Sequence, residues 1–271
     1  MTSMTTNRDR GKGSGSKGPE PRLPADPASE GALPAQVGAP AKRASIFLVA
    51  GFGLLVACLF LFGTVAEGIR DNEVFLLDTV ATPVLHNLAS PGLDLVMNAA
   101  TMIGSIAVIP VLFALAIIVL CLKRRFGAAL FLTIASGGAL LLNGLMKLFF
   151  QRPRPQLPWA SVLPDYSFPS GHTMNSVVFY LAIAVIVWSI AGRHWGAVTL
   201  VAAIVLCTMI GVSRIYLGYH YFTDVVGGAL AGISWLLITI AAFQRGPLER
   251  LWAMPDRARA AARRVAPRGR A

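Results

Sequence analysis

Three short stretches of this 271-residue chain concentrate side chains able to hold and cleave an anion. The first reads Lys147-Leu-Phe-Phe-Gln-Arg-Pro-Arg154-Pro155. The second is Pro169-Ser170-Gly171-His172, and the third runs Ser213-Arg214-Ile-Tyr-Leu-Gly-Tyr-His220-Tyr-Phe-Thr-Asp224. Lys147, Arg154 and Arg214 supply three permanent cations, and guanidinium forks match phosphate oxygens in geometry. Ser170-Gly171-His172 opens an apolar run, so the free amides and positive dipole end of a helix point at an incoming anion. Gly171 leaves room for close backbone approach. His220 and Asp224 are four residues apart; if a helix begins by His220, they share a face and the carboxylate orients the imidazole through one nitrogen. The other nitrogen is then free to attack phosphorus. The pattern reads as an anion trap with two imidazoles. Carboxylates near it reduce to Asp224 and Asp165, so no metal cage and no cofactor are expected.

The elements that must position these groups are membrane spans. Hydrophobic residues make up 55% of the chain and charged residues 14%, against about 25% charged in a soluble domain. Residues 1–45 hold seven Lys/Arg and four acids, and residues 244–271 hold eight Arg and two acids. That leaves nine bases and seven acids for 46–243. Such a distribution excludes a soluble α/β enzyme, a disulfide scaffold and a wholly disordered chain. The net charge of +11 comes mostly from the tails, where Arg beside apolar spans is a membrane feature, and nucleic acid is not an expected partner. Cys58, Cys121 and Cys207 lie in apolar runs and read as packing residues.

A hydrocarbon core about 30 Å thick needs about 20 helical residues. Six stretches qualify: 46–66, 103–122, 126–150, 173–191, 195–213 and 225–243. The expected fold is therefore all-α, a six-helix transmembrane bundle over 46–243. It is flanked by a disordered tail, 1–45, and an Arg-rich tail, 244–271. Basic residues Lys123, Arg124, Arg125 and Arg193 fall in the even-numbered loops, which with both tails are expected in the cytoplasm. The seven acids of the middle region then fall outside or at the outer boundary, and all three polar stretches meet at that extracytoplasmic face. The connection 67–102 reads as short amphipathic helices broken at Pro83 and Pro91-Gly92, lying flat with an apolar face in lipid.

Each of these residues also has a plainer use. A Lys at a span end commonly snorkels to the headgroups, and Arg152 reads as an interfacial anchor of that kind. Ser170 and Asp224 suit helix caps. His86 reads as a wet interfacial residue and His194 as an inner-loop residue. Tyr216, Tyr219, Tyr221, Phe222 and Trp159 read as an aromatic belt. Taken singly these uses suffice; gathered on one face in this order and spacing, they do not.

The three stretches resemble the signature of the type 2 phosphatidic acid phosphatase superfamily: K-x₆-R-P, P-S-G-H and S-R-x₅-H-x₃-D. Lys147 with Arg154-Pro155, Pro169-Ser170-Gly171-His172, and Ser213-Arg214 with His220 and Asp224 follow it without departure. Arg152-Pro153 also reads Arg-Pro, but only Arg154 has the spacing from Lys147. The resemblance implies a metal-independent lipid phosphatase of the cell membrane, built as a helical bundle with its site at the outer surface. By position, Lys147, Arg154 and Arg214 hold the phosphate with Ser170 and the Gly171 amide. His220 is the nucleophile that forms a phosphohistidine, Asp224 fixes its tautomer, and His172 protonates the leaving oxygen.

The expected partners are membrane lipids and a lipid phosphate substrate, either undecaprenyl-diphosphate-like or phosphatidate/phosphatidylglycerophosphate-like. The short apolar loop 156–168, with Leu157, Trp159, Val162 and Leu163, suits a guide for the lipid tail. Three other readings compete. A channel or transporter would explain intramembrane charge, but the charges sit at one face. A vanadate-dependent haloperoxidase-like enzyme uses a related anion pocket without the six spans. An interaction module would work through the Arg-rich tail.

Overall fold

The computed structural model describes residues 38–160 and 163–245. Residues 1–37 and 246–271 of the polar tails, and Val162 of the apolar loop, lie outside the described residues. The described chain is all helical. Its elements are α1 (Gly38–Arg70), α2 (Leu76–His86), α3 (Pro91–Ile103), α4 (Val108–Leu122), α5 (Phe126–Phe150), α6 (Gly171–Ala191), α7 (Arg193–Tyr216) and α8 (Phe222–Arg245). Five are long and apolar enough to cross a membrane, and α3 with α4 makes a sixth span if the bent pair counts as one. The protein is an all-α, multi-pass membrane protein. The described residues from Ile46 onward form one compact unit, to which all the packing below belongs.

Helix α6 is apolar on every side because it is the hub, packing on α5, α7 and α8. Its buried residues Met174, Val178, Ala182 and Ile186 recur every four positions and face Phe131, Leu132, Ala135 and Ala139 of α5. Helix α8 closes this core with Ala231, Leu236 and Phe243. Lipid supplies no hydrophobic drive between helices, so close backbone approach through small residues takes over. Gly228 and Gly232 do this on α8. A Cβ at Gly228 would stand 2.7 Å from the carbonyl oxygen of Ser170, and one at Gly232 would stand 3.1 Å from that of Met174. By contrast α1 exposes Val49, Phe52, Leu59 and Phe60, as a peripheral, lipid-facing helix does.

Two expectations need correction here. The second span is not one helix over 103–122: α3 and α4 meet at a 49° bend across residues 104–107. The cause is local. The hydroxyl of Tyr180 donates to the carbonyl of Ile103 at 3.0 Å, taking the acceptor that a continuing helix would use. The Oγ of Ser105 then accepts the Val108 amide at 3.3 Å and starts α4 afresh. Gly104 is pressed so close to Ile210 of α7 and Ser176 of α6 that a Cβ would meet them at 2.6 and 2.9 Å.

The connection 67–102 also differs. Pro83 sits inside α2 rather than ending it, and α3 runs along α7 as part of the bent span. Helix α2 does expose Leu76, Leu77, Val80 and Val84, but its opposite face buries Asp78 and Thr82 against the bundle. Helix α1 begins at Gly38, upstream of the expected start at 46.

The close contact of α8 with the turn that opens α6 yields a test. Gly228→Ala forces a methyl group against immovable backbone at Ser170. It is expected to cost about 1–3 kcal/mol and to lower the thermal unfolding midpoint in detergent. The same change at Gly137, where a Cβ meets nothing within 4 Å, is expected to leave the midpoint nearly unchanged.

Candidate active site

Helices α5, α6, α7 and α8 all begin or end at one pole of the bundle, and the three polar stretches are those ends. Lys147 lies in the last turn of α5, which stops because Gln151 takes a left-handed conformation (φ 46°) before Pro153 and Pro155. Ser170 caps α6 by accepting the Thr173 amide at 3.5 Å, and its Oγ also accepts the Thr173 hydroxyl at 3.1 Å. Gly171 faces Asn143 so closely that a Cβ would lie 2.9 Å from its Oδ1. Helix α7 ends in a tight turn with Gly218 at φ 74°, where the amides of Tyr219 and His220 both donate to the carbonyl of Arg214 at 3.0 and 3.2 Å. That turn swings His220 back over the end of α7. Helix α8 starts at Phe222, two residues later than the helical spacing of His220 and Asp224 requires. The pair still meets, because Asp224 Oδ2 reaches back and accepts the Tyr221 amide at 2.9 Å.

His220 Nδ1 lies 3.4 Å from Asp224 Oδ2 and 3.4 Å from Ser167 Oγ, and its Nε2 lies 3.2 Å from Arg154 Nη1. A proton on Nδ1 facing the carboxylate leaves the lone pair on Nε2, on the side of the cations. Ser167 donates a short hydrogen bond to the same Asp224 oxygen. Burial lowers the pKa of His220 to about 4; Asp224 opposes this, while Arg154 and Arg214 push in the same direction. The imidazole is therefore neutral at pH 7.

Asp165, on the loop leading to α6, joins two of the expected cations. Lys147 donates to Asp165 Oδ2 in a short ion pair and to the Tyr166 carbonyl at 2.7 Å. Arg154 Nη2 donates to Asp165 Oδ1 at 2.7 Å, and Arg154 Nη1 to the Tyr219 carbonyl at 2.6 Å. Partial burial alone would raise the Asp165 pKa, but the hydrogen bonds and charges of Lys147 and Arg154 win and hold it below the usual carboxylate range. Arg214 donates from Nη1 to Thr101 Oγ1 at 2.6 Å and lies over the Tyr219 ring at 4.3 Å. Its buried Nε has no hydrogen-bond partner among the described residues.

These groups open onto one cavity of about 600 Å³. Lys147, Arg154, Gly171, His172, Arg214 and His220 line it together with Asp165, Asn143 and Asn175. Away from this polar end the walls are Ile106, Ile109 and Phe113, on the α4 side, and Thr133, Gly137 and Leu140 of α5. From Lys147 to Thr133 the α5 wall descends about 21 Å, at 1.5 Å per residue. Such a cavity admits a headgroup at its polar end and a hydrocarbon chain along its length.

Six of the eight expected site residues therefore meet at the cavity. Asp224 stands behind His220 and is fully buried. Ser170 is also fully buried and acts at the helix cap, outside the cavity lining. Arg152 is not an interfacial anchor: its Nη1 donates to Asp224 Oδ1 at 2.6 Å and its Nη2 to Asp78 Oδ2 at 2.7 Å. The aromatic belt is corrected in part as well. Tyr216 is buried and donates to Asp94, Tyr221 lies under Arg152, and Tyr219 under Arg214. His86 stacks on Trp159 at 3.9 Å. Sequence reasoning passed over Ser167, Thr101, Asn143 and the pairing of Asp78. The one available signal was Asp78 itself, an acid within the apolar run of α2.

A multi-pass helical bundle that joins fixed cations and two imidazoles to an apolar cleft defines a membrane lipid phosphatase, a hydrolase of phosphate esters. Residues 126–247 match the family model described as the PAP2 superfamily. The chain is also 30% identical over 179 residues to phosphatidylglycerophosphatase B of Bacillus subtilis, covering 65% of this chain and 88% of that one. It belongs to the PAP2 superfamily. The fold superposes on the crystal structure of a transmembrane PAP2-type phosphatidylglycerolphosphate phosphatase from Bacillus subtilis with a TM-score of 0.62. That comparison has 25% identity and covers 70% of this chain and 96% of the other. A lipid A 1-phosphatase of Rhizobium johnstonii is 31% identical over 129 residues, which span 44% of this chain and 48% of that protein.

The low pKa of His220 has a sign that stability measurements can read. Between about pH 4 and the unfolded value of about 6.5, the unfolded chain takes up a proton that the folded site refuses. This group's share of stability is therefore complete above pH 6.5 and is lost as the pH falls toward 4. His220→Gln, which cannot titrate, is expected to show a shallower loss of unfolding temperature across that window than the wild type. Parallel curves for the two proteins would contradict the assignment.

Proposed function

We propose that this protein removes a phosphate from a membrane lipid through a phosphohistidine formed on His220. The cavity carries the reading, because it is continuous from the paired imidazoles and cations to an apolar cleft inside the bundle. Lys147, Arg154 and Arg214 hold the phosphoryl oxygens with the Gly171 amide, at the α6 terminus that Ser170 caps. Displacement of the Asp165 carboxylate by the incoming phosphate frees Lys147 and Arg154. The Nε2 lone pair of His220 then attacks phosphorus. The bond to the lipid oxygen breaks, and its electron pair leaves with that oxygen, which takes a proton that His172 relays from the phosphate monoanion of the substrate. The ring of His220 now carries positive charge, which Asp224 stabilises across Nδ1. His172 then accepts a proton from water as that water attacks phosphorus, the P–N bond breaks to release phosphate and restore His220, and the proton on His172 leaves with the phosphate. Fixed cations neutralise the transferring group, so the chemistry needs position and charge.

The lipid class follows from the cleft and the relatives. A phosphate on a lipid anchor suits a polar end opening onto an apolar wall, and phosphatidylglycerophosphatase B of Bacillus subtilis supports a glycerophospholipid phosphate. A polyprenyl diphosphate shares the same headgroup chemistry. The proposed orientation puts the site at the extracytoplasmic face of the cell membrane. It is supported by Lys123, Arg124 and Arg125 between α4 and α5 and by Arg193 at the start of α7, all at the helix ends away from the site, since basic residues flanking spans stay in the cytoplasm. On this reading residues 46–243 are the phosphatase domain, and 1–45 and 244–271 are cytoplasmic tails.

Phosphate release in detergent from short-chain phosphatidate, phosphatidylglycerophosphate and a polyprenyl diphosphate, with EDTA present, tests the proposal. His220→Ala is expected to lose at least ~10³-fold in kcat, and His172→Ala about 10²–10⁴-fold. Acid-labile phosphate trapped on His220, with a lower yield in Asp224→Asn, is the expected intermediate. Activity that survives the loss of His220, or that stops in EDTA, would overturn the mechanism.

A further inference from the structure

Asp224 accepts hydrogen bonds on both oxygens. Oδ2 serves His220, Ser167 and the Tyr221 amide; Oδ1 takes Arg152 Nη1 at 2.6 Å. A buried carboxylate can aim an imidazole only if its own rotation is fixed, and Arg152 is the group that fixes the far oxygen. Arg152 lies outside the cavity lining and outside the family signature. What holds Arg152 comes from a distant part of the chain. Its Nη2 donates to Asp78 Oδ2 of α2 at 2.7 Å, a contact between residues 74 apart in sequence.

Thr223 locks the two carboxylates into one frame. Its amide donates to Asp78 Oδ1 at 2.8 Å, and its hydroxyl donates to Asp78 Oδ2 at 2.6 Å while accepting from Arg152 Nη1 at 2.8 Å. Tyr221 covers the guanidinium, 4.2 Å from its ring centroid. Asp78 and Asp224 have side chains 5% and 0% exposed, and Arg152 13%, so solvent screens these charges little.

The geometry points to Asp78 and Arg152 as positioning residues for His220. Asp78 holds Arg152, Arg152 holds Asp224, and Asp224 aims the ring. This inference rests on His220 being the nucleophile. The charge balance suits that role. Two carboxylates and one guanidinium leave one net negative charge behind a ring that becomes cationic when its Nε2–phosphorus bond forms. Loss of the Asp78 carboxylate frees the guanidinium that holds Asp224, so the effect passes through Arg152 and falls on the chemical step. Helix α2 is thereby part of the catalytic frame, although it does not line the cavity.

The test uses the full chain in detergent with a short-chain phosphatidate, measuring kcat, KM and the thermal unfolding midpoint of Asp78→Asn, Arg152→Gln, Arg152→Lys and the double variant D78N/R152Q. Asp78→Asn is expected to lower kcat about tenfold and Arg152→Gln about 10²-fold, each with KM within about threefold of wild type. Arg152→Lys is expected to recover most of the loss. In the R152Q background, Asp78→Asn is expected to cost almost nothing further, because its effect passes through Arg152.

Three outcomes overturn the proposal: kcat intact with KM raised, equal Asp78→Asn losses in both backgrounds, or kcat losses that merely track the fraction of unfolded protein. His220→Ala is assayed alongside. Activity surviving in that variant sinks the nucleophile reading, whereas its loss beside wild-type kcat in the Asp78 and Arg152 variants sinks only the positioning frame.

Discussion

A carboxylate sealed away from water beside a neutral imidazole is the constraint around which this molecule is arranged. Burying Asp224 is costly unless each of its lone pairs finds a donor, and the donors come from three places: Arg152 after α5, Ser167 before α6, and Tyr221 and His220 in the turn before α8. Meeting that demand pins the ends of three helices to one another. The main-chain bond from the Ser170 amide to the Asp224 carbonyl, at 2.9 Å, ties α6 to α8 at the same spot. The carboxylate beside the imidazole is thus also the group on which the pole of the bundle is assembled.

The membrane explains why the chemistry sits there. Within the spans every backbone group must be satisfied internally, which forces continuous helices and leaves only their ends free to carry irregular backbone and charge. Helix α5 serves two purposes at once. Its terminal Lys147 reaches the polar cluster, while Thr133, Gly137 and Leu140 line the apolar part of the same cavity. The break between α3 and α4 opens the facing wall, where Gly104, Ser105 and Ile106 line the space that a straight helix would have crossed differently. Asp165 adds a counter-charge that keeps Lys147 and Arg154 from facing each other as unpaired cations.

Much of this was legible from residues in order. The four long spans at 126–150, 173–191, 195–213 and 225–243 match helices because uninterrupted apolar runs of that length have one low-energy solution in lipid. The convergence of Lys147, Arg154, His172, Arg214 and His220 followed from their positions at the same ends of alternately directed helices. The bend at 104–107 was hidden, since the run from Ile103 to Val108 carries no charge and hydropathy does not register a carbonyl captured by Tyr180. Arg152 was misread for a related reason. Arg152 and Arg154 are two residues apart in one Pro-rich segment, yet one turns toward Asp224 and Asp78 and the other toward Asp165 and His220. Only partners 11 to 74 residues away decide between those directions. Tyr216, Tyr219 and Tyr221 likewise look like headgroup anchors until their polar partners are known.

The central claim is that the Nε2 of His220, aimed by Asp224, faces the anion held by Lys147, Arg154 and Arg214. A crystal or cryo-electron-microscopy structure with orthovanadate, a mimic of the pentacoordinate phosphoryl group, tests it most directly. The account predicts vanadium bonded to His220 Nε2, its equatorial oxygens on Lys147, Arg154 and Arg214, and Asp165 displaced from the cations. Vanadium bonded to His172, or an anion seated on a divalent metal with His220 untouched, would contradict it.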